Sequence, residues 1–343
     1  MDCDYCQGIR PDHVRLDCGL SYPIRPGPTR TQGARGMFTL TNYAIYSYRL
    51  MIYITILKGS SIRAAASMWQ HSFSTVHNTI YEVIASFMRI QDSFFVKASE
   101  TTPAIIINNP KYMPFFENCI GALDGCHVSA VTEDGLWRNR KGWMSQNVLG
   151  VVNFDLTFSY ILAGWEGSAH DGDVIRDALG KGLCTPPGKF YLGDAGYALT
   201  PYCLTPFRGV RYHLKEWAQG NRAPQNYKEL YNLRHSNVRN VVERSFGIIK
   251  KRFPILTHMR SYPLHIQVDI VKTCFMLHNY IRVNRDEADD FNVPHQYTYT
   301  HTIAAWIHSA ISSWDKPKNS SASAEARKAR FILSFCLIFT VPS

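Results

Sequence analysis

The clearest pattern of apolar positions lies between residues 237 and 256, in NVRNVVERSFGIIKKRFPIL. Its apolar residues recur at the spacing of one helix face: Val238, Val241, Val242, Phe246 and Ile249. Pro254 closes the pattern, because proline cannot continue a helix. The pattern therefore predicts a helix over residues 230–253 with one buried stripe.

Basic residues flank this stripe, and one acid stands among them. The bases are Arg239, Arg244, Lys250, Lys251 and Arg252, and the acid is Glu243. Taken alone, this arrangement is as typical of an ordinary surface helix as of a functional one. The last three bases also lie near the helix C-terminus, where the helix dipole favours cations. The acids upstream of this helix decide between the two interpretations.

Two short apolar runs each lead into an aspartate. Asp124 lies in CIGALDGCHV and Asp194 lies in KFYLGDAGY. A short apolar run bounded by turn residues predicts a buried strand, and an aspartate at its end needs a cation or donors to offset lost hydration. With Glu243, these residues form an all-oxygen set of the kind that Mg²⁺ or Mn²⁺ prefers.

The residues around these acids predict an α/β domain over 118–284. Two apolar runs, 148–153 and 158–164, predict a hairpin, residues 210–214 predict a further strand, and residues 264–283 predict an amphipathic helix. This order favours a mixed sheet with flanking helices. Within GSAHDGDVIRDAL, we expect Asp171 to cap a helix rather than to bind a ligand. His170 is either a structural residue or one that orients a phosphate or a metal-bound water.

The region in front of this domain, 37–98, predicts helices. Ser60 or Ser61 is suited to cap one helix and Ser72 or Ser74 the next, so the region predicts a helix-turn-helix or a plain helical hairpin. In a helix-turn-helix, the residues facing DNA would be Thr75, His77, Asn78 and Arg63. We interpret 1–36 as a loose arm, 99–117 as a linker and 285–343 as a poorly ordered tail.

Charge and cysteine content narrow the class of protein. Lys and Arg number 37 against 27 Asp and Glu, and the net charge of +10 favours a polyanionic partner without proving one. The nine cysteines are odd in number and scattered, which favours reduced thiols inside a cell. No apolar run reaches the ~20 residues that a membrane-spanning helix needs.

Seven blocks of sequence together carry a resemblance to a known family. They are GALDGCHV, RNRKGWMSQNVL, GWEGSAHD, GKFYLGDAGY, RGVRYHL, ELYNLRHSNVRNVVERSFGIIKKRFPIL and CFMLHNYIR. In this order the chain resembles the PIF/Harbinger superfamily of DDE transposases and the nucleases derived from them, across residues 60–283. Cys126 departs from the family pattern, which usually carries Thr or Ser beside the first acid.

The resemblance implies an RNase H-like mixed sheet preceded by a helix-turn-helix region. It places Asp124, Asp194 and Glu243 on the family's three acidic positions, 70 and 49 residues apart. In such a protein these acids bind two Mg²⁺ or Mn²⁺ ions and cut DNA at transposon terminal repeats, before joining the freed end to a target. Phosphate contacts are expected from the basic residues: Arg138, Arg140, Lys141, Arg239, Arg244, Lys250, Lys251 and Arg252.

The same resemblance implies partners and a location. Double-stranded DNA is the expected substrate, a Myb-like DNA-binding protein the expected accessory partner, and the nucleus the expected compartment. Assembly into a homo-oligomer is left open. A transposase-derived DNA-binding or scaffold protein without catalysis is the main alternative function. An RNase H-like RNA nuclease is a further alternative, which the predicted helix-turn-helix disfavours.

Overall fold

The computed structural model describes residues 56–212 and 223–283, and these form helices around one mixed sheet. The strands are β1 (Cys119–Ser129), β2 (Ser145–Val152), β3 (Phe158–Glu166), β4 (Phe190–Leu192) and β5 (Cys203–Leu204). The helices are α1 (Ile62–Met68), α2 (Phe73–Met88), α3 (Ala104–Ile107), α4 (Asp171–Gly180), α5 (Tyr227–Arg252) and α6 (Leu264–Val283). The predicted arm and tail lie outside the described residues.

The sheet combines a meander with two parallel strands. Its order is β3-β2-β1-β4-β5, in which β2 pairs antiparallel with both β1 and β3, and β4 pairs parallel with both β1 and β5. This topology confirms the predicted α/β class and mixed sheet, and it is consistent with an RNase H-like fold. The predicted hairpin is also confirmed, since β2 pairs with β3.

Helices cover both faces of the sheet. The long helices α5 and α6 pack with β1 and β2 in the larger apolar cluster, and α4 packs on the other face in a smaller cluster. Gly150 of β2 lets α5 come close, because a Cβ atom there would lie only 2.8 Å from Cζ of Phe246. The apolar stripe predicted on α5 is therefore the face that binds the sheet.

The front helices share the larger cluster with the sheet domain. Ser61 caps α1 and Ser72 caps α2 through side-chain bonds to backbone N–H groups, as the sequence predicted. The inner face of α2 includes Ile80, which is fully buried in the same cluster as α6. The described helical pair therefore has no separate core of its own.

Several predicted boundaries were wrong. Asp124 lies within β1 rather than at its end, because pairing with β2 continues as far as Ser129. No strand covers residues 210–212; residues 213–222 lie outside the described ranges. The outer parallel strand is instead β5, whose two residues are too few to give a periodic signal. In the part of the chain that the structure describes, no helix is long and apolar enough to cross a membrane.

Candidate active site

The two aspartates lie at matching positions on neighbouring parallel strands. Ala122 of β1 pairs with Leu192 of β4, and Asp124 and Asp194 each follow two residues later. Because parallel strands run in the same direction, both carboxylates come to the same level of the sheet, just beyond the C-terminal end of β4. Each accepts a hydrogen bond from the chain just after it, from the N–H of Gly125 at 2.9 Å and of Gly196 at 2.8 Å.

Arg239 of α5 joins Asp124 to Glu243, the third predicted acid. Its Nη1 donates to Oδ2 of Asp124 at 2.9 Å, and its Nη2 donates to Oε1 of Glu243 at 2.7 Å. The Arg239 side chain is only 6% exposed, whereas that of Glu243 is 55% exposed. Arg239 was predicted to contact DNA phosphate from the helix surface; the structure places it beneath the surface as the counter-ion of two acids.

A chain of hydrogen bonds fixes the position of this guanidinium. Nε of Arg239 donates to the hydroxyl of Tyr212 at 2.7 Å, which lies 3.2 Å from Nδ1 of His235. Nε2 of His235 lies 3.0 Å from the carbonyl of Leu204 and must donate to it. His235 therefore accepts at Nδ1 and is neutral, and burial accordingly lowers its pKa to about 4.

The local electrostatics make Asp124 an unusual carboxyl group. Burial raises the pKa of Asp124 to about 6, although the positive charge of Arg239 opposes that rise. The nearby charge of Asp194 contributes to the same rise in the pKa of Asp124. A cation with more than one positive charge would oppose both effects, so the site favours binding of a divalent ion.

The donor atoms suit a hard divalent cation in chemistry, since Asp124 and Asp194 offer carboxylate oxygens. Glu243 does not join them directly, because Arg239 lies between it and Asp124. Within residues 56–212 and 223–283, no three His, Cys, Asp or Glu side chains converge closely enough to hold one ion. Two of the three predicted acids, Asp124 and Glu243, are thus linked through a cation of the protein itself.

Asp171 does not cap α4, contrary to the prediction. The N-cap is His170, which makes no side-chain capping bond, and Asp171 is the first helical residue. One oxygen of Asp171 lies 3.4 Å from Nδ2 of Asn147 and beside Gly125; the other lies beside Gly196. The helix start therefore directs a carboxylate toward the two aspartates. Asn147 and Tyr197, which line the same space, carried no chemical signal in the sequence.

The basic loop after β1 lies beside His127. Arg138, Arg140 and Lys141 are exposed there, and Nη1 of Arg138 donates to the carbonyl of Gly142 at 2.8 Å. Burial lowers the pKa of His127, Asp171 raises it, and Lys250, Lys141 and Arg140 lower it further. This loop carries accessible cations, and its role in DNA contact stays a prediction.

The three bases at the end of α5 point in different directions. Lys250 donates to the carbonyl of His127 at 2.7 Å, and Nη1 of Arg252 lies 3.2 Å from Nδ1 of His278. Lys251 is exposed, as is Arg244 earlier in the helix. The sequence treated the three as one cationic group, but only Lys251 presents its side chain fully to solvent.

The candidate DNA-contact residues of α2 differ in how freely they face solvent. Thr75 is exposed, and its hydroxyl lies 2.8 Å from that of the capping Ser72. His77 is half-buried, with its ring between those of Phe73 and Tyr81. Asn78 is exposed. Sequence reading by these residues stays a prediction.

Residues 123–279 match the family described as DDE superfamily endonuclease. This segment contains β1 from its centre to most of α6, and it includes all three predicted acids. The segment is thus similar to that family, which confirms the resemblance inferred from the sequence blocks.

Curated relatives each match about half of the chain. "Protein ALP1-like" of Arabidopsis thaliana is 26% identical over 195 residues, which are 50% of this chain and 45% of that protein. "Putative nuclease HARBI1" of Rattus norvegicus is 30% identical over 169 residues, 47% of this chain and 45% of that protein, and its Homo sapiens counterpart is 28% identical over the same shares. The chain thus spans less than half the length of these relatives. No solved structure matches it significantly.

Proposed function

We propose that this protein is a metal-dependent DNA endonuclease that hydrolyses phosphodiester bonds. The observation that carries the proposal is the pair Asp124 and Asp194 at matching positions along two adjacent parallel strands, within the segment that matches the DDE endonuclease family. The hydrolysis adds the oxygen of water to phosphorus and breaks the bond to the 3′ oxygen. The products are a 3′-hydroxyl and a 5′-phosphate.

Asp124 and Asp194 would hold Mg²⁺ or Mn²⁺, with Glu243 contributing on the α5 side. Ions bound there would polarise the phosphate and stabilise charge on the attacking and leaving oxygens. Arg239 holds Asp124 and Glu243 in fixed positions and keeps part of their charge neutralised. The strand register and the Tyr212–His235 chain thus set the positions of the acids before any substrate arrives.

DNA would bind through cations around this end of the sheet. Arg138, Arg140 and Lys141 lie on the loop between β1 and β2, and Lys251 and Arg244 are exposed on α5. Contacts from such residues to phosphates give affinity that falls as salt rises. The pair α1 and α2 would add sequence recognition through Thr75 and Asn78, in the manner of a helix-turn-helix.

The wider biology of the proposal follows from the family resemblance. The proposal includes cleavage at transposon terminal repeats and strand transfer. It also includes action in the nucleus and cooperation with a Myb-like DNA-binding protein. Genomic inverted repeats on either side of the gene, and a neighbouring Myb-like reading frame, would support them. Their absence would favour a protein with no mobile element to move.

The deciding experiment is a cleavage assay on the full chain. The substrate is a plasmid that carries the flanking genomic repeats, incubated with Mg²⁺, with Mn²⁺, or with a chelator. We expect metal-dependent cuts that leave 3′-hydroxyl ends, and we expect Asp124→Asn, Asp194→Asn and Glu243→Gln each to lower the rate by at least 10²-fold, because each removes a carboxylate charge from the site. Cleavage by Asp124→Asn at the wild-type rate would refute this assignment.

A non-catalytic DNA-binding protein is the second candidate. The position of Arg239 between Asp124 and Glu243 favours it, since a fixed guanidinium occupies space between two acids that would otherwise meet an ion. Salt-dependent binding of the repeats without any metal-dependent cleavage would support this candidate over the nuclease.

A further inference from the structure

Asp171 lies against the site from the α4 side of the sheet. Side chains alternate along β1, so Asp124 turns toward Arg239 on α5 while Gly125 faces α4. A Cβ atom on Gly125 would lie 2.9 Å from Oδ1 of Asp171 and 3.0 Å from Oδ1 of Asn147. The missing side chain thus leaves room for two oxygens on the α4 face of β1, next to the backbone of Gly125.

The oxygen of Asn147 has no partner there. Asn147 is 3% exposed, and its Oδ1 accepts no hydrogen bond although it is buried. Its Nδ2 already lies toward Asp171, so rotating the amide would bring Oδ1 against a carboxylate instead. A buried carbonyl oxygen without a donor costs free energy unless a donor or a cation meets it. The orphaned atom is therefore an acceptor available to a donor or a cation in this space.

Asp171 and Asp194 face each other across Gly196. A Cβ atom on Gly196 would lie 3.0 Å from Oδ1 of Asp194 and 3.4 Å from Oδ2 of Asp171. Neither carboxylate takes part in an ion pair within residues 56–212 and 223–283. Two close carboxylates without a counter-ion repel each other, and a cation between them removes that repulsion.

The buried hydroxyl of Tyr197 lies close to the same group of carboxylates. Burial raises the pKa of Tyr197, and the charges of Asp124, Asp171 and Asp194 raise it further. Its oxygen would lie 3.6 Å from a Cβ atom on Gly125, so the protonated hydroxyl borders the same space. Tyr197 closes this space on the side away from solvent, since it is 2% exposed.

We propose that Asp171, Asp194 and the side-chain oxygen of Asn147 bind a Mg²⁺ or Mn²⁺ ion. Two carboxylates and one amide oxygen hold the ion while leaving coordination positions for water and for a phosphate oxygen. The site uses an acid from outside the predicted triad, and its part in catalysis rests on the proposed nuclease function. The described residues contain no cluster of three acidic, histidine or cysteine side chains close enough to hold one ion, and the proposed site does not need one, because its third donor is the amide oxygen of Asn147.

The same helix supplies a matched control. Asp173 lies two residues after Asp171 in the first turn of α4, but it is exposed and forms an ion pair with Arg176 at 3.0 Å. Asp171→Asn and Asp173→Asn remove the same charge from the same helix end. Only Asp171→Asn removes a proposed ligand.

The test is Mn²⁺ binding to the full chain without DNA, measured by electron paramagnetic resonance of the free ion. We expect Asp171→Asn and Asn147→Ala each to raise the dissociation constant about tenfold or more, as removing a donor or its support generally does, and Asp173→Asn to leave it within twofold. Melting of the metal-free variants shows which are folded. Asp194→Asn is expected to behave as Asp171→Asn does.

Each outcome decides the proposal. If the wild-type chain binds no Mn²⁺, or if either folded variant, Asp171→Asn or Asn147→Ala, binds it as tightly as the wild type, the site is rejected. If Asp171→Asn lowers the affinity but the wild type cuts no DNA, the site stands and the nuclease proposal fails. If the wild type cuts DNA and Asp171→Asn binds Mn²⁺ normally, the nuclease stands and this site fails.

Discussion

At the scale of single residues, Arg239 is the side chain on which the site depends most. The sequence places it among surface bases, and the structure buries it against Asp124, Glu243 and Tyr212. Burial is the largest single effect and lowers the pKa of Arg239, but Asp124, Tyr212 and Glu243 together raise it more, so the guanidinium stays charged. Its role is to balance charge inside the protein.

Replacing this residue should cost stability in a pH-dependent way. We expect Arg239→Met to lower the free energy of unfolding by about 3–5 kcal/mol at pH 7.5, because it leaves Asp124 buried without its partner. The loss should be smaller at pH 5, since the pKa of Asp124 is raised to about 6 and the carboxyl group is then largely protonated. Urea unfolding of the metal-free protein at both pH values measures this.

The control for that substitution is Arg176→Met. Its ion pair with Asp173 is exposed, so its loss should cost no more than about 1 kcal/mol at either pH. Equal losses for the two variants, or a larger loss for Arg239→Met at pH 5 than at pH 7.5, would contradict the role assigned to Arg239.

At the scale of elements, α5 combines packing, charge balance and an exposed basic end. Its inner face holds the sheet through Val242 and Phe246, and its C-terminal bases divide between protein and solvent. Lys250 donates to the β1 backbone and Arg252 contacts α6, whereas Lys251 is exposed. Adjacent residues of one charge therefore have different physical roles.

Two neighbouring substitutions separate these roles. We expect Lys251→Gln to weaken DNA binding and to reduce the slope of log affinity against log salt by up to about one, because it removes a cation free to meet phosphate. We expect Lys250→Gln to lower the melting temperature and to leave that slope unchanged, because its amine is bonded to His127. Binding titrations at several salt concentrations, beside melting curves, test both. The reverse pattern would show that the bond to His127 is not kept in solution.

At the scale of the whole molecule, the front helices and the sheet domain share one apolar cluster. The ring of Phe94 lies 5.9 Å from that of Phe87 on α2 and 6.3 Å from that of Tyr280 on α6. Asn279 of α6 donates to the carbonyls of Phe94 and Phe158, which ties the segment after α2 to the sheet. The front helices are therefore packed directly against the sheet domain.

The shared core predicts that these parts unfold together. Ile80→Ala should lower the free energy of the single main unfolding transition by about 2–5 kcal/mol, because Ile80 is fully buried in the common cluster. Asn78→Ala, on the exposed face of the same helix, should change it by no more than about 0.5 kcal/mol. Calorimetry distinguishes the cases: two transitions, with only the first lowered by Ile80→Ala, would mean that the front helices form an independent domain.

The sequence by itself determined the elements with a strong local signal. Helix α6 begins and ends where its apolar period does, Pro254 stops α5 close to the expected residue, and Ser61 and Ser72 cap their helices. These features depend on neighbours within a few residues, so a pattern can reveal them. The assignment of Asp124, Asp194 and Glu243 as metal ligands rests on short motifs that resemble those of the family, and it stays a prediction.

Only the tertiary structure decided what surrounds those acids. In the sequence, Arg239 and Lys250 cannot be told from the exposed bases Arg244 and Lys251. Only the structure distinguishes them, because their partners Asp124 and His127 lie on β1, more than 110 residues earlier. The sequence around Asp171 is typical of a helix cap. In the structure, its carboxylate instead occupies the space that the missing side chain of Gly125 leaves, near Asn147 and Asp194. Such contacts join residues distant in the chain, and their free energy depends on desolvation and charge that arise only once the sheet has formed.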